Sequence, residues 1–540
     1  MQRAFHFLLG LMLAWVLAFS SDVHLARAQG RSDLRALMSE TESQAAVEGL
    51  AARKDAFAER ALSALLDGNL RIDAAGAGFI ADSSGALTPL EPAGPKQPAQ
   101  PVSTPSLNNQ LRRVIEPVLA GLRLSSADRS VRLGAAEELS KRQSPELAPL
   151  IERALGTERD GTVRQKLELA LAQVRLQSSD TAQRLSALEI IRKAAEVSFK
   201  PELDRLVAKD ETGAYREKNE EVRRAANAAL GAIETRAFIY SSIGNAFYGL
   251  SLGSVLLLVA LGLAITFGLM RVINMAHGEL LMIGAYATHV VQKLFEAYLP
   301  AQVDWYILCA LPVAFLASGL VGFAIERTVL RFLYGRPLET LLATWGVSLI
   351  LIQTVRLIFG AQNVTVANPS WLRGGVELLP GFVLTYSRLA VISFSAIVLL
   401  FVWFMLQRTP LGLHVRAVTQ NRQMAASMGI STRRVDSLTF AIGSGVAGLG
   451  GVALSQLGNV GPELGQAYIV DSFMVVVLGG VGKLAGTLAG AFGLGLVNKL
   501  LEPVAGAVLG KIAILVFIIL FIQRRPQGLF ALKGRAAEVT

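Results

Sequence analysis

The sequence predicts an all-α protein with two regions: a polytopic membrane helix bundle of eight or nine spans, preceded by an exported α-helical domain. Three observations predict it. Residues 240–523 are a series of apolar runs broken by short polar loops, residues 29–236 are rich in Arg, Glu, Ala and Leu, and the chain opens on a short apolar stretch behind one early arginine. Over 540 residues the hydrophobic share is 52% against 17% charged, which points to a membrane protein in at least some of the chain. A formal net charge of +10 would raise nucleic acid as a partner of a soluble protein. Here much of the excess lies in short loops beside apolar runs, where membrane topology accounts for it, and no nucleic acid is expected. Cys309 is the only cysteine and sits in an apolar run, so no intramolecular disulfide and no Cys metal site can form.

The first element is a targeting segment. Arg3, the apolar stretch 7–19 and Ala26-Arg27-Ala28 fit a secretory signal over 1–28 cleaved after Ala28; the alternative is an uncleaved anchor, for which the stretch is short. Residues 30–90 read as helices, with Leu34, Leu37 and Met38 at helical spacing. Pro92, Pro95, Pro98, Pro101 and Pro105 then mark a linker over 91–106 that separates this piece from the next. From 107 to 236 a loose repeat follows. Asp128-Arg129-Ser130-Val131-Arg132, Asp160-Gly161-Thr162-Val163-Arg164 and Asn219-Glu220-Glu221-Val222-Arg223 each precede small or apolar residues, with a weaker copy at Ala182-Gln183-Arg184-Leu185. These units resemble HEAT-type helical repeats, in which an Asp caps a helix and small residues face the stack; an Ala-rich helical bundle is the alternative.

The membrane half is expected over 240–535. Its candidate spans are 250–270, 279–294, 305–325, 338–359, 389–406, 437–457, a divided region 467–500, and 508–521. In the divided region the stretch 469–478 is too short to cross alone, and Gly479, Gly480, Gly482, Gly486 and Gly490 predict a re-entrant or closely packed hairpin. Orientation follows from charge. Arg327, Arg331 and Arg336, then Arg408, Arg416, Arg422, Arg433 and Arg434, then Arg524, Arg525, Lys533 and Arg535 are expected on the cytoplasmic side, and the loop 360–387 outside. The amino-terminal domain is then periplasmic and the carboxyl terminus cytoplasmic.

The polar stretch Arg271-Val272-Ile273-Asn274-Met275-Ala276-His277-Gly278-Glu279 lies between two apolar runs. Polar groups this dense at a membrane segment need partners or water, which makes them functional candidates; a short cytoplasmic turn is the alternative. On a continuous helix Asn274, His277 and Gly278 share a face and Glu279 points elsewhere, a conflict that a broken helix would relieve. Two nucleotide-like patterns fail on context. Gly479-Gly480-Val481-Gly482-Lys483 is followed by Leu484 where a phosphate loop needs Ser or Thr, and Gly443-Ser444-Gly445-Val446-Ala447-Gly448 lies inside an apolar span, where close helix packing explains it. With no catalytic triad, paired carboxylates or His-rich metal motif, an enzyme is not expected.

Residues 411–430 form a long amphipathic segment in a cytoplasmic loop, with Val418, Ala425 and Met428 along one side and Arg416 and Arg422 on others. Such a helix fits a partner surface or anionic headgroups. This segment, Asn274-Met275-Ala276-His277-Gly278-Glu279 with Met282-Ile283-Gly284-Ala285-Tyr286, and the ending Arg525-Pro526-Gln527-Gly528-Leu529-Phe530 together resemble the permease subunits of branched-chain amino acid ABC transporters. Gly335-Arg336-Pro337-Leu338-Glu339-Thr340-Leu341-Leu342-Ala343-Thr344-Trp345-Gly346 is similar to the urea-transport branch, whose permeases also carry an exported extension.

The resemblance implies urea, with short-chain amides, as the solute, branched-chain amino acids being the alternative; a secondary transporter or channel and a membrane-anchored sensor are the remaining classes. It implies a second permease, two cytoplasmic ATPase subunits and a periplasmic solute-binding protein as partners in a bacterial inner membrane. It implies no cofactor on this chain, the partner ATPases using the ATP. Residues 411–430 match the segment that docks on an ATPase, with Arg416, Asn421, Ala425 and Gly429 as its candidates. Asn274, His277, Glu279, Thr344, Trp345, Gln353 and Asn363 are the candidates along a path for a small neutral solute.

Overall fold

A computed structural model describes residues 32–530 except 40, 41, 54, 83, 84, 92–94, 96, 141–144, 271 and 380. The expected signal over 1–28, Pro92, Arg271, Lys533 and Arg535 lie outside the described residues. The chain divides into two compact units, Met1–Ala237 and Phe238–Thr540.

The first unit begins with a short helix α1 (32–36), α2 (Ser43–Arg53) and α3 (Ala56–Leu66), the last capped by Asp55, whose carboxylate accepts the Ala58 N–H. Here the helical expectation for 30–90 needs correction. After α3 comes a three-stranded antiparallel sheet, β1 (Leu70–Ile72), β2 (Gly78–Ala81) and β3 (Leu87–Pro89), in the order β1-β2-β3. Its turns are set by two aspartates: Asp73 Oδ1 accepts the Ala77 N–H at 2.7 Å and Asp82 Oδ1 the Ala86 N–H at 2.9 Å. The proline-rich stretch is tied to this sheet, since Asp73 Oδ2 accepts the Ala99 N–H at 3.1 Å and Ser103 bridges Ile72. It therefore does not act as a spacer, because Leu111, Ile115 and Leu119 of α4 (Asn109–Leu124) share one core with Leu34, Val47, Leu62 and Leu90.

The repeated Asp positions are helix caps. Asp128 opens α5 (Arg129–Leu139), Asp160 opens α7 (Gly161–Leu176) and Asp180 opens α8 (Thr181–Ala194), each accepting backbone N–H groups of the first turn; α6 (Ala148–Thr157) and α9 (Lys200–Val207) lie between and after. Asn219 does the same for α10 (Glu220–Met270), accepting the Glu221 N–H at 2.9 Å. The arginine four residues after the cap reaches back to the carbonyls before it, Arg132 to Ser126 and Ala127, Arg223 to Glu217 and Lys218. Arg132 also donates to Glu158, and that hydrogen bond holds the Glu158 carboxyl below the usual range.

In the second unit every apolar run named above lies on a helix. After α10 come α11 (His277–Tyr298), α12 (Tyr306–Thr328), α13 (Pro337–Phe359), α14 (Tyr386–Arg408), the short α15 (Pro410–Gln420) and α16 (Arg422–Ser427), α17 (Thr432–Ser455), α18 (Leu464–Gly479) and α19 (Leu484–Arg524). Six of the described helices, α10, α12, α13, α14, α17 and α19, are long and apolar enough to cross a membrane. The loop after α13 carries a hairpin of β4 (Gly375–Leu379) and β5 (Phe382–Thr385), so neither unit is purely helical.

Glycines let helices meet backbone to backbone. A Cβ on Gly284 of α11 would lie 2.2 Å from the Gly448 carbonyl oxygen of α17, and one on Gly451 would lie 2.1 Å from that of Leu281. Gly479 and Gly486 approach equally closely across the turn between α18 and α19, where Gly480 takes φ +100°; this is the closely packed hairpin that the glycine run predicts. α19 itself turns back at Gly506, which has φ +77°: a Cβ on Gly510 would lie 3.7 Å from that of Leu501, which a straight helix would hold about 13 Å away along its axis.

Two outcomes are expected. Gly284→Val forces α11 and α17 apart and destabilises the membrane unit by at least about 2 kcal/mol, measured as a lowered unfolding midpoint in lipid micelles, whereas Gly346→Val, with open space around Gly346, leaves the midpoint in place. The Glu158 carboxyl, lowered by Arg132, stabilises the fold above the ordinary carboxylate range of about 4.3 and loses that contribution as pH falls through its depressed value. Limited proteolysis at 128–164 should accelerate on acidification in the wild type, while Glu158→Gln is already cleaved faster at pH 7 and responds less to acid.

Candidate functional site

The polar stretch is where the helix breaks. α10 ends at Met270 and α11 starts at His277, with 272–276 outside any helix, so their backbone groups need other partners. Asn274 Oδ1 accepts the Ala276 N–H at 3.0 Å, and Thr344 Oγ of α13 accepts the Met275 N–H at 3.1 Å. Thr344 in turn donates to the Thr340 carbonyl at 2.8 Å, so its hydroxyl ties the break to the backbone of α13.

His277, at the first position of α11, places Nε2 3.1 Å from the Val259 carbonyl oxygen of α10. A carbonyl only accepts, so Nε2 carries the proton and Nδ1 is left as an acceptor. Two residues on, Glu279 accepts from Ser348 Oγ of α13 at 2.9 Å through Oε1. Its Oε2 lies against the backbone of α18, where a Cβ on Gly465 would come within 2.6 Å of it. The break thus lets His277 and Glu279 face different helices while both stay inside, which the continuous-helix reading of Glu279 does not allow. Asn274, His277, Glu279 and Thr344 are buried to 2% exposure or less. Asn274 Nδ2, His277 Nδ1 and Glu279 Oε2 have no protein partner. A donor and two acceptors are left without a protein partner around one buried break, the pattern of a place where polar groups are kept for use.

The other three path candidates lie elsewhere. Trp345 is 51% exposed and Gln353 is exposed, on the outer face of α13 with Leu342 and Leu349. Asn363 is exposed in the following loop, its Oδ1 against Gly461. Sequence reasoning missed Ser348, although it stands four residues after Thr344 and so shares its helix face.

The segment 411–430 is two helices rather than one. Asn421, with extended φ −152°, ends α15 and caps α16, accepting the Met424 N–H at 2.9 Å. Arg416 donates to the Leu406 carbonyl, Ala425 is buried, and Gly429 turns the chain with φ +84°. These four candidates shape the segment, while its exposed apolar side chains are Leu413, Met424 and Met428, the last 76% exposed; Met428 does not share the buried side of Ala425. The ending also has a structural role, since the Leu529 N–H donates to the Leu478 carbonyl at 2.8 Å and Gly528 lies against Gly480.

A multi-pass bundle with a broken, polar-ended helix fits a membrane transport protein. The chain belongs to the family described as the branched-chain amino acid transport system permease component, which matches residues 245–522. It is similar to the high-affinity branched-chain amino acid transport system permease protein LivH of Escherichia coli strain K12, 30% identical over 292 residues covering 52% of this chain and 93% of the relative. It is 28% identical to the corresponding protein BraD of Pseudomonas aeruginosa over 297 residues, 54% of this chain and 96% of the relative. A shorter likeness joins it to the ribose import permease RbsC of Escherichia coli strain K12, 32% identical over 110 residues, 19% of this chain and 34% of the relative. No solved structure matches. The family and the six apolar helices make it a multi-pass inner-membrane protein whose relatives are permease components rather than catalytic subunits.

Ser348→Ala deprives buried Glu279 of its hydrogen bond, and a loss of about 1–3 kcal/mol in unfolding free energy is expected. Gln353→Ala, on an exposed face, should unfold at the wild-type denaturant midpoint.

Proposed function

We propose that this chain is the permease subunit of an ATP-driven importer that moves a small solute inward across a bacterial inner membrane. The family match over residues 245–522 carries this reading. In it a second permease completes the pore, two cytoplasmic ATPase subunits serve the pair, one of them docking on α15 and α16 of this chain through Leu413, Met424 and Met428, and a periplasmic solute-binding protein delivers the solute. The chain itself binds no cofactor and does no chemistry. Closure of the ATPases tilts the spans and exchanges outward for inward access.

Nine crossings fit the charge pattern: α10 to α14, α17, α18, and α19 counted twice about Gly506. With 16 residues α18 is about 24 Å long, short for a span of about 30 Å. Two contacts favour a crossing over a re-entrant loop. Gly482, just after α18, lies against Gly268 near the end of α10, and Gly528, just after the Arg524–Arg525 pair, lies against Gly480. An odd number of crossings carries an exported amino-terminal unit, with HEAT-like repeats behind a cleaved signal, to a cytoplasmic ending. On α13 the exposed Gln353 and Thr354 are out of place facing lipid, so that helix is assigned to the second permease and to the solute path. The unpartnered atoms of Asn274, His277 and Glu279 come into play as the helices move.

Two observations bear on the solute. The relatives' names support a branched-chain amino acid, and the comparisons favour it. The stretch 335–346 and a long exported extension support urea or a short-chain amide, a neutral planar solute suited to the donor and acceptors left at the break.

ATP-dependent uptake of labelled leucine and labelled urea by proteoliposomes holding the complete complex tests both. Leucine alone establishes the branched-chain reading, urea alone the other, and uptake of either without ATP overturns the importer. Deleting residues 29–236 should leave uptake at least partly intact; complete loss with normal membrane insertion would favour a sensor whose exported unit does the work.

A further inference from the structure

Where α16 meets α12 and α17, a polar network built on two buried carboxylates and a half-exposed arginine joins four segments of the membrane unit. Arg422, the first residue of α16, donates through both terminal nitrogens to Asp436 in the second turn of α17, the longer bond at 3.4 Å. The same guanidinium lies 4.9 Å from the ring centroid of Tyr334, in the connection between α12 and α13. The Tyr334 hydroxyl donates to Glu326 Oε1 near the end of α12 at 3.2 Å, and Ser437 Oγ of α17 donates to Glu326 Oε2. Glu326 and Asp436 are both buried, at 2% and 3% exposure.

The guanidinium pairs with buried Asp436 while buried Glu326 accepts from Tyr334 and Ser437, so neither carboxylate can lose its partners cheaply. Breaking a buried pair by removing one member leaves an uncompensated charge, which makes such contacts all-or-none rather than elastic. The helices they join are also rigidly packed. Gly322 of α12 lies against Ser444 of α17, Gly448 of α17 against Ser318 of α12, and Ser318 Oγ donates to the Leu280 carbonyl of α11 at 2.8 Å. A displacement of α16 therefore has a short, stiff route to α11, whose first turn carries His277 and Glu279.

We propose that Arg422, Asp436, Tyr334 and Glu326 form a polar latch through which movement of α16 is passed to the α11–α12–α17 block. They are positioning residues and do not touch the solute. The inference rests on the importer reading above for the source of the movement. The latch itself is a property of the fold.

The test uses the complete complex in proteoliposomes, with ATP hydrolysis and solute uptake read from one preparation, and amide hydrogen exchange read on the same membranes. Arg422→Gln and Asp436→Asn should each lower solute moved per ATP about tenfold or more while hydrolysis continues. The exchanged pair, Arg422→Asp with Asp436→Arg, should recover a substantial fraction of that ratio, the mark of direct coupling between the two sites. Hydrogen exchange over 421–437 should rise about tenfold in Arg422→Gln and stay unchanged over 441–455. An unaltered ratio of transport to hydrolysis would overturn the latch. So would unchanged exchange at 421–437, which decides the matter even where wild-type membranes show no ATP-dependent uptake and the importer reading fails. If a single variant does not assemble, Tyr334→Phe, which removes only the hydroxyl bond to Glu326, should show the same loss of coupling in milder degree, and a wild-type ratio there would equally overturn the proposal.

Discussion

The membrane unit depends on backbone contact between α11 and its neighbours. In a bilayer, burying apolar side chains gains little over leaving them in lipid, so helices associate through close van der Waals packing and interhelical hydrogen bonds. Gly284 against Gly448, Gly451 against Leu281, and Gly278 against Gly465 give α11 that contact on α17 and α18. Any side chain at these positions would occupy space already held by a carbonyl or an α-carbon. The first two turns of α11 are thereby fixed in place, and with them the point at which α10 must give way.

That point sets a second demand. Backbone freed from a helix inside a membrane protein needs hydrogen-bond partners, and α13 supplies the decisive one through Thr344. Ser348, one turn further along the same face, meets Glu279, so a single stripe of small hydroxyls on α13 serves both the broken backbone and the first turn of α11. Satisfaction stops short of completeness. A structure selected only for stability would pair or remove Asn274 Nδ2, His277 Nδ1 and Glu279 Oε2; their persistence at the most polar point of an apolar bundle is why the break is the candidate site.

Features that depend on neighbours in sequence could be read before the structure, and those that depend on distant contacts could not. The Asp128, Asp160 and Asn219 caps and the Gly479–Gly486 approach are local or nearly so, and the sequence points to each, whereas the Asp180 cap stands two residues before the weaker copy at 182–185. The strands over 70–89 were equally local, with Asp73 and Gly76, then Asp82 and Gly85, marking two turns, but the helical spacing before them was carried too far. Residues 411–430 read in sequence as one amphipathic helix, whereas Asn421 divides them by ending α15 and capping α16. The break that the sequence suggests around Glu279 is present, but its partner Ser348 is 69 residues away and no periodicity within α11 announces it. Trp345 and Gln353 were chosen by chemistry alone, without the register that puts them across the helix from Thr344.

The division of polar groups on α13 bears on how a solute could pass. One face of this helix, with Thr344 and Ser348, is sealed against α11, and the opposite face, with Trp345, Gln353 and Thr354, is open. A lining that a solute meets on arrival must be reachable without unpacking the protein, and only the open face meets that condition. The sealed cluster meets the other requirement of alternating access, a set of polar atoms that gain partners when helices separate and so offset some of the cost of opening. On this argument the two faces of α13 do different work. In the proposed importer the outer one would present the path, and the inner one would store hydrogen-bonding capacity for a second arrangement of α10, α11 and α13.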